Sequence, residues 1–181
     1  MRSEQLRNGH EWLRIAGADW SDPLDPSYAQ ERGGRWNPPT SHPTLYLNED
    51  MATARINLMA FVDRWPYEPE DLRSNAGPVL VAATLPRDQD VADLYSPEGL
   101  DAVGLSDSYP LDHAGTAIPH SICQAIGQEA KDAGLRGVLC RSANRLRGAG
   151  RELAWFPATS RSRATRVGVT PFADWFWNPG S

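Results

Sequence analysis

Hydrophobic and polar positions along the chain predict a succession of short strands interrupted by two helices. Strands are expected where apolar residues alternate or form short continuous runs, and helices where apolar residues recur every three or four positions. On this basis the strands are 11–16, 44–47, 78–85, 137–140, 152–156 and 166–170, and the helices are 49–62 and 121–133. Residues 23–34 and 86–119 lack such periodicity and are predicted to be loops. The order of these elements favours an α+β fold over a regular βαβ alternation.

Residues at the ends of the predicted helices support these boundaries. Glu49 and Asp50 suit the N-terminus of the first helix, and Trp65 with the following proline ends it. Gly134 is placed to stop the second helix. The aromatic tail 172–177 is expected to pack on the core, because large aromatic side chains contribute much burial energy.

The composition is that of a globular protein with one domain. A chain of 181 residues, 40% hydrophobic and 23% charged, is long enough to bury a real core, and we treat residues 1–181 as a single domain. No apolar run reaches the length of a membrane span and the N-terminus does not resemble a signal peptide. Cys123 and Cys140 lack the spacing of a metal site or a disulfide framework. We therefore expect a cytoplasmic protein with no bound metal and no membrane partner.

The charge is unevenly distributed along the chain. The segment 136–166 holds eight arginines and one acid, which gives it a local charge of +7. Because the net charge of the whole chain is −5, the other residues together carry −12. A globally acidic protein is a poor general binder of nucleic acid. The basic segment is suited to phosphates or to an acidic protein partner, or is simply a solvated arginine-rich surface.

Several chemistries are absent from the sequence. The four histidines form no metal-binding pair, and there is no GxSxG elbow, Walker loop or GxGxxG fingerprint. The glycine-rich segment 147–151 lacks the lysine and the context of a phosphate loop. What remains is a set of arginines, a tyrosine on a strand, a serine after a strand and several amides, which are groups that bind phosphate and ribose.

The segment Gly33–Pro39 concentrates these groups within seven residues. Glycine permits positive φ and close backbone approach, and the fork of Arg35 matches the geometry of phosphate. The proline pair stiffens the exit of the loop, and the next strand carries Tyr46. Such a loop holds an anionic, partly aromatic ligand, or alternatively forms a tight turn in which Trp36 plugs the core.

With these residues in these positions, the chain resembles the RES family, the NAD-directed toxins of bacterial toxin–antitoxin pairs. The resemblance runs through nearly the whole chain and is carried by residues 13–15, 33–37, 45–47 and 123–127, and by 137–139 leading to Ser142. It implies a compact fold similar to that of ADP-ribosyltransferases, with a central antiparallel or split sheet flanked by helices. It also implies a cleft for NAD, which is the substrate, and a partner antitoxin that covers this cleft.

The family's functional residues are carried over position by position. Arg14 and Arg35 look like the family's two arginines, Tyr46 like its strand tyrosine, and Ser142 like its serine, with Ser160 and Ser162 as rivals. The resemblance implies that Arg35 clamps pyrophosphate and that Arg14 reaches the same phosphates or the carboxamide. Tyr46 would stack on nicotinamide or bond to ribose, and Ser142 would bond to the carboxamide or ribose. The remaining NAD-binding positions implied by the loop are Gly34, Trp36 and Asn37.

One position departs from the family. The family's glutamate lies in the helix after the tyrosine strand, where this chain has Asn57. Asn57 keeps a hydrogen bond to ribose and loses the charge that favours a developing sugar cation. Either cleavage is slower, or another acid substitutes, for which Glu49, Asp50 and Glu152 are the candidates.

Two classes of function follow from the resemblance. In the first, the protein is an NAD-consuming enzyme that passes ADP-ribose to a protein side chain, to water or to phosphate, with Arg35, Tyr46, Asn57 and Ser142 as its catalytic residues. In the second, it is an inactive binding module that retains the contact with an antitoxin.

Overall fold

The computed structural model of the chain describes residues 1–62, 66, 68, 71, 77–144 and 150–177. In chain order the elements are β1 Ser3–Gln5, β2 Trp12–Ala16, α1 Ser27–Arg32, β3 Leu45–Asn48, α2 Met51–Val62, β4 Val79–Thr84, β5 Asp90–Leu94, α3 Pro97–Asp101, α4 His120–Asp132, β6 Gly137–Arg141, β7 Arg151–Trp155, β8 Thr165–Thr170 and α5 Phe172–Phe176.

The strands form one eight-stranded sheet in the order β1-β5-β6-β7-β3-β2-β4-β8. Neighbouring strands are antiparallel except for β5 and β6, which run parallel. In the middle of the sheet, Asn48 of β3 pairs with Glu152 of β7, and Leu47 pairs with Leu153. Because successive side chains on a strand point to opposite faces, Asn48 and Glu152 share one face and the two leucines share the other.

The helices cover the face that carries Asn48 and Glu152, in two groups. α2 and α5 pack with Leu13, Ile15 and Leu80 over β2 and β4, whereas α3 and α4 pack with Val138, Cys140 and Ala154 over β5, β6 and β7. The centre of β3 and the start of β7 lie where these two groups meet. The described residues therefore form a single compact α+β domain with a mixed sheet flanked by helices, which confirms the predicted fold class.

The predicted strands and both predicted helices are present, with small shifts at their ends. The prediction of loop for 23–34 was wrong because α1 lies within it, and the prediction for 86–119 was wrong because β5 and α3 lie there. β1 was not predicted. The proposed helix end at Trp65 and the part 147–149 of the glycine-rich segment lie outside the described residues.

Candidate NAD site

The hydroxyl of Tyr46 fixes the loop 33–37 to the sheet. It accepts a hydrogen bond from the backbone N–H of Trp36 at 2.9 Å and donates one to Asn37 Oδ1 at 2.8 Å. Burial raises the pKa of Tyr46, so the phenol is neutral and its hydrogen is available for donation. Tyr46 thus positions the loop through both of its hydrogen-bonding capacities.

Glycine at position 34 is required by this arrangement. A Cβ atom added there would lie 2.3 Å from the hydroxyl oxygen of Tyr46. On the other side, Gln124 of α4 donates its Nε2 hydrogen to the Gly34 carbonyl at 2.9 Å. The loop is therefore held between β3 and α4. Gln124 lies in the segment 123–127 that carries the resemblance, but its contact with the loop was not predicted.

The side chains of Trp36 and Asn37 point into the protein interior. Their exposed fractions are 1% and 0%. Trp36 Nε1 donates to Cys140 Sγ at 3.2 Å, and Asn37 Nδ2 donates to the Ala29 carbonyl at 2.6 Å. The expectation that these two side chains contact NAD disagrees with their burial, and Trp36 plugs the core as the alternative interpretation had it. They shape the loop around Arg35.

Arg35 is the cation that the loop presents. Its Nη1 approaches Cys123 Sγ at 4.0 Å, and among the described residues no carboxylate oxygen lies within 4 Å of it. A partly exposed guanidinium without a carboxylate partner retains its capacity to bind an anion, and the fork geometry suits phosphate.

A cluster of polar side chains surrounds Asn57, which projects from α2 towards the sheet. Its Nδ2 donates to Asn48 Oδ1 and to Glu152 Oε1, each at 2.7 Å. Its Oδ1 accepts from Ser142 Oγ at 3.2 Å and from Asn144 Nδ2 at 2.9 Å. All four hydrogen-bonding positions of the amide are therefore occupied. We call Asn48, Asn57, Ser142, Asn144 and Glu152 the polar cluster.

Glu152 is the carboxylate of the polar cluster. Burial raises the pKa of its carboxyl, whereas the nearby Ser142 hydroxyl, the hydrogen bond from Asn57 and the positive charge of Arg35 act in the opposite direction. The influence of Arg35 on Glu152 links the loop to the cluster. Arg35 approaches Cys123 of α4, and Glu152 pairs with Cys140 in the sheet, so both lie on the face of the sheet that α4 covers.

The three acids considered as substitutes for the missing glutamate occupy different places. Glu49 Oε1 lies 3.6 Å from Arg151 Nη1 in an ion pair, and Asp50 Oδ1 accepts the Thr53 N–H at 2.6 Å as a cap of α2. Of the three, Glu152 is the one that touches Asn57.

Ser142 belongs to the polar cluster, whereas its two rivals do not. Ser142 is fully buried and follows β6, and its hydroxyl reaches Asn57. Ser160 and Ser162 form a 3₁₀ turn after the far end of β7, where the Ser162 hydroxyl bonds to the backbone at 158 and 159. The geometry favours Ser142 among the three serines.

Arg14 lies on the opposite face of the sheet from the polar cluster. Leu13 pairs with Asn48 and shares its face, so the next residue points the other way. The Arg14 guanidinium lies 5.8 Å from the ring centroid of Trp20, and burial lowers its pKa to about 10 although Asp25 and Asp22 favour the charge. The structure does not bring Arg14 together with Arg35, so its predicted contact with the same phosphates has no support in this geometry.

Two cavities lie away from the polar cluster, near the end of the sheet where β3 begins and β7 ends. Their volumes are about 300 Å³ and 370 Å³, and both are bordered by Pro43, Pro157 and Ala158. Neither is lined by Arg35, Tyr46 or a member of the cluster.

Within the described ranges, no group of histidine, cysteine and carboxylate side chains has the arrangement of a metal site. None of the helices in that part of the chain has the length and apolarity needed to cross a bilayer.

Comparison with known proteins identifies the family. The model of the RES domain matches residues 11–175. Over 139 residues the chain is 35% identical to the NAD(+) phosphorylase MbcT of Mycobacterium tuberculosis and of Mycobacterium bovis, which covers 74% of this chain and 69% of the relative. The crystal structure of the M. tuberculosis MbcT–MbcA toxin–antitoxin complex matches with a TM-score of 0.73 at 24% identity, covering 93% of this chain and 86% of that one. The chain belongs to the RES domain family.

Proposed function

We propose that this protein is the toxin of a toxin–antitoxin pair and that it binds NAD and cleaves the bond between nicotinamide and ribose. The observation that carries the proposal is that Arg35, which has no carboxylate partner among the described residues, lies on the same face of the sheet as a partly buried polar cluster with one carboxylate. Membership of the RES family and similarity to an NAD(+) phosphorylase support the same activity. We assign the whole chain, 1–181, to this one functional domain.

The binding roles follow from the chemistry of each group. Arg35 binds the pyrophosphate of NAD through charge-assisted hydrogen bonds. Tyr46 holds the loop that carries Arg35. Ser142 and Asn57 order the polar cluster against the ribose. Fixing the dinucleotide in this way lowers the entropic part of the barrier.

Cleavage requires little acid–base chemistry because the leaving group of NAD is already cationic. The electron pair of the C1′–N1 bond leaves with nicotinamide, which becomes neutral, and the ribose gains oxocarbenium character. Preorganised negative charge and hydrogen-bond acceptors stabilise that state. Phosphate is the acceptor we favour, because the relatives are phosphorylases. An oxygen of HPO₄²⁻ forms the new bond to C1′ and yields ADP-ribose 1″-phosphate without any further proton transfer.

The acceptor is tested by incubating the purified protein with NAD, with and without inorganic phosphate and with and without cell lysate, and analysing the products by mass spectrometry. A phosphorylated ADP-ribose supports phosphorolysis, free ADP-ribose supports hydrolysis, and a protein carrying an added ADP-ribosyl mass supports transfer to a protein substrate. Unchanged NAD in every condition would refute the enzymatic function.

The second candidate function is an inactive module that binds an antitoxin, and Asn57 in place of glutamate is the observation that favours it. Toxicity separates the two. An NAD-consuming enzyme lowers cellular NAD when it is expressed in the cytoplasm, whereas the inactive module leaves it unchanged.

The antitoxin partner is proposed from the structural match to a toxin–antitoxin complex. Co-expression with the neighbouring reading frame tests it. We expect the two proteins to copurify and the partner to restore both growth and NAD levels; independent elution of the two proteins would contradict the pairing.

A further inference from the structure

The RES family carries a glutamate on the helix after the tyrosine strand, and this chain lacks it. A different carboxylate lies next to that position in this chain. Asn57 stands at the family's glutamate position, and its Nδ2 donates to Glu152 Oε1 at 2.7 Å. We propose that Glu152 of β7 is the catalytic carboxylate of this protein and that Asn57 is its positioning residue. This inference rests on the proposed cleavage of NAD.

Residues 57 and 152 meet in the space between α2 and the sheet. Residue 57 projects from α2 onto the sheet and residue 152 projects from the sheet towards α2, so their polar ends meet. Transferring the carboxylate from one residue to the other moves the negative charge by about the length of a hydrogen bond. The charge therefore stays within the same cluster, beside Ser142 and within the field of Arg35.

The amide of Asn57 is compatible with an ionised carboxylate at position 152. Two carboxylates in hydrogen-bond contact cannot both ionise, because like charges at this distance raise one of the pKa values strongly. A carboxylate at 152 therefore requires a neutral donor at 57, and an asparagine provides it while also accepting from Ser142 and Asn144. Asn57 is therefore the neutral hydrogen-bond donor that Glu152 requires, and the absence of a glutamate at position 57 is not a loss of activity.

Hydrogen bonds connect the carboxylate of Glu152 to the backbone of the sheet. Asn48 lies opposite Glu152 in the β3–β7 register, and it is fixed by its own donation to the Leu13 carbonyl at 3.1 Å. Asn48 in turn accepts from Asn57. The carboxylate is thus held by a chain of hydrogen bonds that ends on the backbone, which is the preorganisation that electrostatic stabilisation requires.

The role of Glu152 is to accept a hydrogen bond from a ribose hydroxyl and to stabilise the positive charge that develops as the C1′–N1 bond breaks. The electron pair of that bond leaves with nicotinamide, and a phosphate oxygen bonds to C1′. Glu152 neither gains nor loses a proton in this step.

The central test exchanges the two side chains. We expect Glu152→Gln to lower kcat for NAD cleavage by about 10²–10³ while the Kd for NAD changes by less than about threefold. We expect Asn57→Glu alone to lower kcat as well, because it adds a second carboxylate. The double variant Asn57→Glu/Glu152→Asn restores kcat to within about tenfold of wild type. Glu49→Gln, which removes the nearby carboxylate paired with Arg151, is the matched control and leaves kcat unchanged.

A pH profile tests the positioning role of Asn57. Removing its donated hydrogen bond by Asn57→Ala raises the pKa of Glu152, so the acidic limb of the kcat profile shifts to higher pH. Among the residues that the structure describes, Arg35, Cys140 and Tyr109 also interact electrostatically with Glu152. Arg35 stays charged, and Cys140 and Tyr109 stay neutral because burial raises their pKa values. A merely structural role would lower kcat without moving the limb.

The outcomes separate this inference from the proposed function. Wild-type kcat in Glu152→Gln, or no recovery in a folded double variant, would overturn the role of Glu152 and leave NAD cleavage intact. Absence of NAD turnover by the wild-type protein with every acceptor would overturn both.

Discussion

The partly buried carboxylate of Glu152 lowers the stability of the fold, because burial disfavours its charged form. Its hydrogen bond from Asn57 does not fully compensate for burial, since the pKa of the carboxyl is raised. Residues that serve a site at the expense of folding free energy are common in enzymes. We therefore expect removal of the charge of Glu152 to lower activity and to raise stability.

Glu152→Gln is expected to raise the Tm at pH 7. A carboxyl with a raised pKa in the folded state contributes stability below its unfolded pKa, and that contribution is lost as the pH rises through the folded pKa. The gain in Tm should therefore be present at pH 7 and disappear near pH 4, as measured by scanning fluorimetry. A variant less stable than wild type at pH 7 would contradict the assigned burial.

Arg35→Ala is expected to weaken NAD binding by about 10- to 100-fold, because a hydrogen bond to a charged group contributes about 1.5–3 kcal/mol. Arg35→Lys should recover part of the affinity without the bidentate geometry. Isothermal titration measures the Kd, and Arg32→Ala is the control because Arg32 is exposed at the end of α1. Equal affinities of the Arg35→Ala and Arg32→Ala variants would exclude the phosphate contact.

His42 is expected to make the fold sensitive to acid. The side chain is buried and packs edge-on against Phe156. Burial and the charge of Lys131 lower its pKa to about 4, although Gln128 and Asp132 favour the charged form. Because the unfolded state binds this proton first, stability falls as the pH drops from about 6.5 to about 4, by up to about 3 kcal/mol.

The control for this prediction is His42→Gln, which lacks a titrating group. Urea unfolding across the same pH range should show a shallower decline for the variant. Parallel curves for the two proteins would show that His42 does not titrate during unfolding.

At the scale of elements, the loop 33–37 depends on how closely α4 approaches it. A Cβ added at Gly127 would lie 1.9 Å from the Trp36 carbonyl oxygen, which is backbone and cannot move aside. The helix and the loop therefore form one unit, to which Gln124 adds its hydrogen bond.

Gly127→Ala is consequently expected to destabilise the fold by at least about 1–3 kcal/mol, as overpacked sites do, and to weaken NAD binding by displacing Arg35. Chemical denaturation and NAD titration measure the two effects. Glu129→Ala on the exposed side of α4 is the control. An unchanged Gly127→Ala variant would show that helix and loop can separate freely.

The elements that sequence patterns predicted are those with a clear period or a continuous apolar run. β5 was not predicted because both of its faces are buried and its sequence therefore shows no alternation of apolar and polar residues. Val91 lies in one core cluster, and Ala92 and Leu94 lie in another. α1 escaped because it is short and buries Ala29 alone. α3 had a readable start, since Ser96 caps it and Pro97 follows.

The site was predictable in part for similar reasons. Arg35, Tyr46 and Ser142 are polar groups at the ends or faces of elements with a readable pattern. Burial of Trp36 and Asn37 was not predictable, because neighbours in a loop have no period that separates inside from outside. Asn48 was accessible in principle, since it lies two positions after Tyr46 on the same strand face. The contact between residues 57 and 152 depends on tertiary packing, which local patterns do not contain.

At the scale of the whole molecule, the basic segment 136–166 is tied to acids elsewhere in the chain. Among the described residues, Arg141 pairs with Asp107, Arg151 with Glu4 and Glu49, and Arg163 with Asp22. Such pairs contribute little stability at an exposed surface, yet they reduce the positive field of the segment. This favours the interpretation that Arg141, Arg151 and Arg163 are engaged by acids of the chain and not by phosphate.

The measurement that tests the account most directly is product analysis after incubating the purified wild-type protein with NAD and inorganic phosphate. We expect release of nicotinamide and formation of ADP-ribose 1″-phosphate, both strongly reduced in Glu152→Gln and restored in Asn57→Glu/Glu152→Asn. NAD recovered intact from the wild-type protein, with phosphate, water and lysate all offered as acceptors, would contradict it.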